Sequence, residues 1–204
     1  MEFLGLPQAT LIFLAANVII SVVGFTNDRF VQFGVLNVHA VLKQNEWHRV
    51  LISGFLHADP FHLLVNMISL FFFGPAMEQV LGSQAFYLVY LGSLVLGNLG
   101  ALIMHAREPH YSALGASGAV SGILFSFSLY APFHMIYMFG VLPIPALLFA
   151  ILFVAYSLYG MRAQNDNIGH DAHLFGAIAG VAITILLYPN MVAHFLAQIT
   201  AIFG

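Results

Sequence analysis

Ser117 sits in the tetrapeptide Gly115-Ala116-Ser117-Gly118, and its hydroxyl is the first candidate for chemistry in a chain without cysteine. If a helix opens at this serine, its first amides lack intrahelical partners and carry the positive end of the helix dipole. A serine there comes with a place for a developing oxyanion. His173 opens an apolar run in His170-Asp171-Ala172-His173, with Gly176 and Gly180 following at helical spacing. Gly118 and Gly122 repeat that spacing behind the serine, so two glycine faces packed backbone to backbone would bring Ser117 and His173 within hydrogen-bond reach. That is the arrangement of a nucleophile and its general base. Ser117, Gly118, Ser121 and Gly122 equally form a small-residue packing face with no chemistry attached.

His62 and Asn66 stand one helical turn apart in an apolar stretch, where polar side chains are costly and point to a functional interior. Both donate hydrogen bonds while neutral, which suits an oxyanion hole; the plainer reading is an interhelical pair worth about 1 kcal/mol. Asp171 lies two residues before His173, and positions i and i+2 do not face each other on a helix, so it is not assigned as a triad acid. Glu46, Trp47 and Arg49 could tie a loop together, and Glu78, between Gly74 and Gly82, could brace neighbouring backbone. The ten histidines could ligate a metal or haem, but no Glu-x-x-His motif or carboxylate cluster accompanies them, which disfavours a metal site.

The elements that must position these residues follow from composition. Of 204 residues, 61% are hydrophobic and 6% charged, where a soluble domain carries about 25% charged residues. The lipid bilayer is therefore the solvent. A net charge of −3 with no basic cluster leaves nucleic acid without its electrostatic attraction. Six apolar stretches approach the roughly 20 residues a spanning helix needs: 7–25, 61–80, 84–105, 114–131, 139–160 and 170–189. The expectation is an all-α polytopic membrane protein, a six-transmembrane-helix bundle forming one membrane domain over 1–204. The first stretch has no charged leader or small-residue cleavage site and is expected to remain as a span. Residues 26–60 are too long and too apolar for a structureless loop, and are expected to fold into short interfacial helices with Trp47 at headgroup depth. The fourth stretch runs only about 17 residues from its Gly-Ala-Ser-Gly start to Pro132, roughly 26 Å of helix, which submerges Ser117 and implies a wet cavity.

Taken in order, these motifs resemble a rhomboid intramembrane serine protease of the bacterial six-span type. The resemblance covers about 46–189 and runs through Trp47-x-Arg49, His57…His62-x-x-x-Asn66, Gly74-x-x-x-Glu78-x-x-x-Gly82, Gly115-x-Ser117-Gly118 and Ala172-His173-x-x-Gly176-x-x-x-Gly180. It implies hydrolysis of peptide bonds in or near the transmembrane segments of membrane-protein substrates, without metal or ATP. Ser117 would be the nucleophile and His173 the base, with the Ser117 amide, His62 and Asn66 at the oxyanion. Gly115, Gly118, His57, Gly176 and Gly180 would support the site. The fifth span and the Asn165-Asp166-Asn167 connection would form a gate. Two departures stand out: Ser121 replaces the aromatic ring that usually packs on the catalytic imidazole, leaving Phe125, Tyr156 or a water to position it, and His170 and Asp171 are unusually polar. Arg29, Lys43, Arg49, Arg107 and Arg162 all fall on the long-loop side, which the positive-inside rule would make cytoplasmic. The resemblance implies the reverse, with the site towards the outside of a bacterial inner membrane, and that orientation is preferred. The rival readings are a catalytically silent relative that binds membrane segments and a histidine-rich metal or haem transporter.

Overall fold

The computed structural model describes residues 5–138, 141–163 and 169–201. Helix α1 (Gln8–Thr26) begins after Pro7 with no side-chain cap of its own. Glu78 supplies one from a distance: its carboxylate accepts from the Ala9 amide at 2.8 Å, the Thr10 amide at 2.7 Å and the Thr10 hydroxyl at 2.8 Å. Two orphan amides and one buried charge are satisfied together, which is the condition for a carboxylate in an apolar interior.

The segment that follows α1 folds into short elements: α2 (Asp28–Gly34), β1 (Leu36–Asn37), α3 (Val38–Gln44), α4 (Arg49–Ile52) and a 3-10 turn, Ser53–Phe55. Asn27 and Asn37 cap α2 and α3 through side-chain oxygens. Arg49 binds the segment together, pairing with Glu46 and donating to the Val35 carbonyl at 2.9 Å. Trp47 is exposed.

Helix α5 (Pro60–Met104) starts at an Asp59 cap with Pro60 in the first turn. Its 45 residues are interrupted at Gly82, whose φ of 74° and ψ of 155° are not helical and suit only glycine. The two halves, 60–81 and 83–104, replace the three-residue connection expected at 81–83. Thr10 lies against Gly74 and Glu78 while Phe13 stacks on Tyr90, so the second half returns along α1. After α5 come β2 (Ser112–Ala113), antiparallel to β1, and then α6 (Ser117–Tyr130). The fourth expected stretch thus becomes helical only at Ser117.

The fifth expected stretch, 139–160, is corrected most. Strands β3 (Met135–Met138) and β4 (Leu142–Pro145) pair antiparallel, and α7 (Ala146–Ala163) begins after them. Helix α8 (His170–Leu187) is followed by α9 (Asn190–Thr200), which was not expected. The protein is mostly helical, though four short strands among the described residues depart from a strictly all-α fold. Among the described residues, α1, α5, α7 and α8 are long and apolar enough to cross a membrane, and α6 is apolar with 14 residues.

Helices α5, α6 and α8 form the centre, around buried Leu70, Met77, Phe86, Tyr90 and Ile123. Helices α6 and α8 meet backbone to backbone. A Cβ on Gly176 would lie 2.8 Å from Gly118 Cα, and one on Gly180 would lie 2.6 Å from the Gly122 carbonyl carbon. Further along the same seam, Ser126 and Thr184 share a hydrogen bond of 2.8 Å. Replacing Gly176 by Ala is expected to force the helices apart and cost about 1–3 kcal/mol. The control is Gly169→Ala, where a Cβ meets nothing nearer than 3.8 Å. Thermal unfolding in detergent should show a lowered midpoint for the first variant and little change for the second.

Candidate active site

Ser117 is the first residue of α6, preceded by Gly115 at φ 126°, a conformation that side chains rarely adopt. The Gly115 amide is held by the Ser53 carbonyl at 3.0 Å. The absent Cβ serves a second purpose: its position would be 2.7 Å from His62 Cε1, 2.9 Å from His62 Nε2 and 3.7 Å from Ser117 Oγ. The imidazole edge and the serine hydroxyl therefore border one small space, and glycine keeps that space open.

From the first turn of α8, His173 Nε2 stands 2.6 Å from Ser117 Oγ. For Nε2 to accept the hydroxyl hydrogen, the ring is neutral with its proton on Nδ1. This contact follows from the glycine seam, because Ser117 and His173 each lie just N-terminal to the first glycine of their pair, Gly118 and Gly176.

No aromatic ring comes from position 121, where Ser121 is buried. Phe153 of α7 lies beside the His173 imidazole, with centroids 6.0 Å apart and planes tilted by 33°. Phe125 backs Phe153 edge-on at 5.4 Å, while Tyr156 packs on His170 instead. Phe153 was missed in the sequence because it sits among apolar residues of a spanning stretch, and only tertiary packing distinguishes it. His170 is buried under Gly160, and a Cβ on that glycine would strike its ring.

His62 and Asn66 lie one turn apart on α5, as their spacing requires. The His62 amide donates to Asp59 Oδ1 at 2.9 Å, and Asn66 Nδ2 donates to the His62 carbonyl at 3.0 Å, which uses one of its two amide hydrogens. Asp59 was also missed, although Asp-Pro ahead of an apolar run is a readable helix start. His57 connects three elements. Its Nδ1 contacts Ser21 Oγ at 2.8 Å, the Ser21 hydroxyl reaches the Phe55 carbonyl at 3.0 Å, and the Ala116 amide donates to His57 Nε2 at 3.4 Å. The His57 and His62 rings meet edge to face at 5.0 Å.

Asp171 turns away from His173 and binds Tyr111 and His105. The Asn165-Asp166-Asn167 connection lies outside the described residues. Among the described residues, no three His, Asp or Glu side chains converge as a metal site would require. What the arrangement can do is activate a serine hydroxyl beside a neutral base, with neutral donors grouped at the start of a helix.

Comparison with known proteins places this geometry in context. The family model described as Rhomboid domain matches residues 44–190. YdcA of Bacillus subtilis is 37% identical over 145 residues, 69% of this chain and 67% of YdcA. RHOMBOID-like protein 12, mitochondrial, of Arabidopsis thaliana is 32% identical over 156 residues, covering 69% of this chain and 46% of its own. The rhomboid protease GluP of Bacillus subtilis is 31% identical over 185 residues, covering 87% of this chain and 35% of GluP. The matched stretch thus spans about two thirds of YdcA and under half of the other two.

Burial, and secondarily the neighbouring His62, lowers the His57 pKa to about 4 against the opposing influences of Asp59 and the Phe55 carbonyl. The geometry agrees, since Nε2 accepts from the Ala116 amide only in the neutral ring. An unfolded chain protonates this histidine near pH 6.5 and the folded one only near pH 4, so the unfolded state binds the extra proton between those values. Stability is then expected to fall as pH drops through that window, by up to roughly 3 kcal/mol. His57→Gln, a neutral group that can still accept, should flatten the dependence; thermal midpoints of both proteins measured from pH 7 to 4 check this.

Proposed function

This chain belongs to the rhomboid family, and we propose that it is an intramembrane serine protease that cleaves membrane-protein substrates in or near a transmembrane segment. It is an integral membrane protein of a family whose characterised members are serine proteases. The observation that carries the reading is the 2.6 Å contact between Ser117 Oγ and His173 Nε2.

In the proposed reaction Ser117 Oγ attacks the scissile carbonyl carbon while its proton passes to His173 Nε2. The carbonyl oxygen becomes an oxyanion held by the Ser117 amide, His62 and Asn66. Collapse breaks the C–N bond, and His173 returns its proton to the departing amine. A water, deprotonated by the same imidazole, then hydrolyses the acyl-enzyme and restores the serine. Phe153, in place of an aromatic at 121, limits the tilt of the imidazole.

Six spans are counted by taking the halves of α5 separately and including α6. At about 21 Å, 14 residues of α6 are shorter than roughly 30 Å of hydrocarbon, which supports a submerged serine reached by water from the loop side. Helix α7 serves as the gate. Its buried residues are only Ala146, Ala150, Ser157 and Gly160, so it separates at little cost in packing. The active site faces the extracytoplasmic side of a bacterial inner membrane. Arg49, spent on Glu46 and the Val35 carbonyl, illustrates why the basic residues near the loop act as structural donors more than as topology signals.

A fluorophosphonate probe should label the wild type and not Ser117→Ala, and both Ser117→Ala and His173→Ala should abolish cleavage of a reconstituted single-span substrate. Retained cleavage by either variant overturns the assignment, and an unlabelled, inactive wild type favours the silent membrane-segment binder. His62→Ala or Asn66→Ala should each lower kcat on the order of 10²–10³-fold if they hold the oxyanion.

A further inference from the structure

Asp171 is 3% exposed, lies in the first turn of α8 and has no part in the Ser117–His173 contact. A carboxylate this buried must be paired. Its Oδ2 lies 3.0 Å from His105 Nε2, and its Oδ1 accepts the Tyr111 hydroxyl at 3.2 Å. The other nitrogen of His105, Nδ1, lies 3.0 Å from Glu108 Oε2. The His105 ring rests flat on Tyr111, with centroids 3.7 Å apart and planes within 6°. The His105 ring thus reaches two carboxylates, one through each nitrogen. Asp171 also suits its own helix, standing at the N-terminal end of α8, while His105 is the residue at the C-terminal end of α5.

The far side of the cluster is anchored. The Tyr111 carbonyl accepts from the Val38 amide at 3.1 Å, and the following residues, Ser112 and Ala113, pair with β1. Burial, with the neighbouring Asp171, raises the Tyr111 pKa above its ordinary value, which keeps the phenol a donor. The first turn of α8 has no side-chain cap, since its N-cap is Gly169.

We infer that Asp171 is a positioning residue for His173: by locking the first turn of α8 to Tyr111 and His105, it sets where the imidazole stands relative to Ser117 Oγ. The inference rests on the serine-protease reading above. It acts through the backbone, because Asp171 and His173 point to different sides of the helix. Loss of the carboxylate leaves the glycine seam intact further along α8 while freeing the turn that carries the base.

The test uses the purified full chain in lipid nanodiscs, with a single-span substrate and a fluorophosphonate probe. Asp171→Ala is expected to lower kcat and the labelling rate about 10- to 100-fold with KM within about twofold, the cost of a base displaced by a fraction of an ångström to an ångström. Asp171→Asn should recover most of that loss, because its oxygen still accepts from Tyr111 and its amide can donate to a neutral His105. If Asp171→Ala proves unfolded, Tyr111→Phe, which keeps the ring stack and removes only the hydroxyl, should lower kcat by about 3- to 10-fold. Wild-type kcat in Asp171→Ala or, where that variant is unfolded, in Tyr111→Phe overturns the inference, as does equal impairment of the Ala and Asn variants. In those cases labelling of the wild type but not Ser117→Ala leaves the protease reading standing. An unlabelled, inactive wild type overturns both.

Discussion

The approach of α6 to α8 through glycine is the constraint on which the remainder of the site depends. Inside a bilayer no hydrophobic force draws one apolar helix to another, so close packing and a few hydrogen bonds must do it. Gly118 and Gly122 on one helix and Gly176 and Gly180 on the other leave backbone facing backbone, and the Ser126–Thr184 bond closes the lower part of the seam. At such a separation the first turns of both helices are brought together, and the residues just N-terminal to the glycines, Ser117 and His173, have little choice but to touch. The same seam explains why α6 tolerates so few large side chains on that face. Ser93 of α5 approaches Gly122 from a third direction, so the three central helices share one small-residue centre.

Around that centre the polar groups of a strongly apolar chain are either neutral or consumed by a partner. Glu78 is spent on the start of α1 and on Ser83, and Asp171 on Tyr111 and His105. Asn17 donates to the Tyr90 hydroxyl and to the Phe13 carbonyl, which holds α1 against the second half of α5. His57 is kept neutral between an amide donor and a serine oxygen. Each arrangement removes the penalty that an unpaired polar group would carry in a low-dielectric interior. None of them places a fixed charge beside the Ser117 hydroxyl, and the groups that border it remain free to respond to a charge that forms there.

The parts legible in the sequence are those governed by spacing. Helical intervals of three and four residues placed Ser117 with the glycines, His62 with Asn66, and Gly176 with Gly180, and composition alone indicated the membrane. The family resemblance was then confirmed by comparison over residues 44–190. The parts that were not legible depend on conformations that apolarity does not encode. The start of the fifth stretch read as part of a span because Val141 and Leu142 are apolar, yet Pro143 and Pro145 signal a break, and Leu142–Pro145 pairs with Met135–Met138 as antiparallel strands. Gly82 turns the chain in one residue because a positive φ is available to glycine, where spacing placed a longer break between the stretches 61–80 and 84–105. Helix α9 was overlooked because it is amphipathic and short; His194 and Gln198 both donate to the Tyr130 carbonyl, closing the C-terminal end of α6. Phe153 and the partners of Asp171 are tertiary facts, set by how α7 and the 105–113 connection fold back.

Asp171, two residues before His173, stands outside the proposed Ser117–His173 dyad. A carboxylate hydrogen-bonded to Nδ1 would hold the imidazole and stabilise its cation, at the expense of a permanent charge next to the serine. Here the carboxylate sits on the opposite side of the same turn, hydrogen-bonded to Tyr111, where under the proposal it secures the backbone. In the proposed enzyme the orientation of the base is thereby divided: Asp171 with Tyr111 and His105 holds the turn, and Phe153 lies beside the ring. Separating the two functions would suit a low-dielectric setting, because the carboxylate that anchors the helix is compensated by its hydrogen-bond partners and a helix terminus, away from the proposed reacting pair.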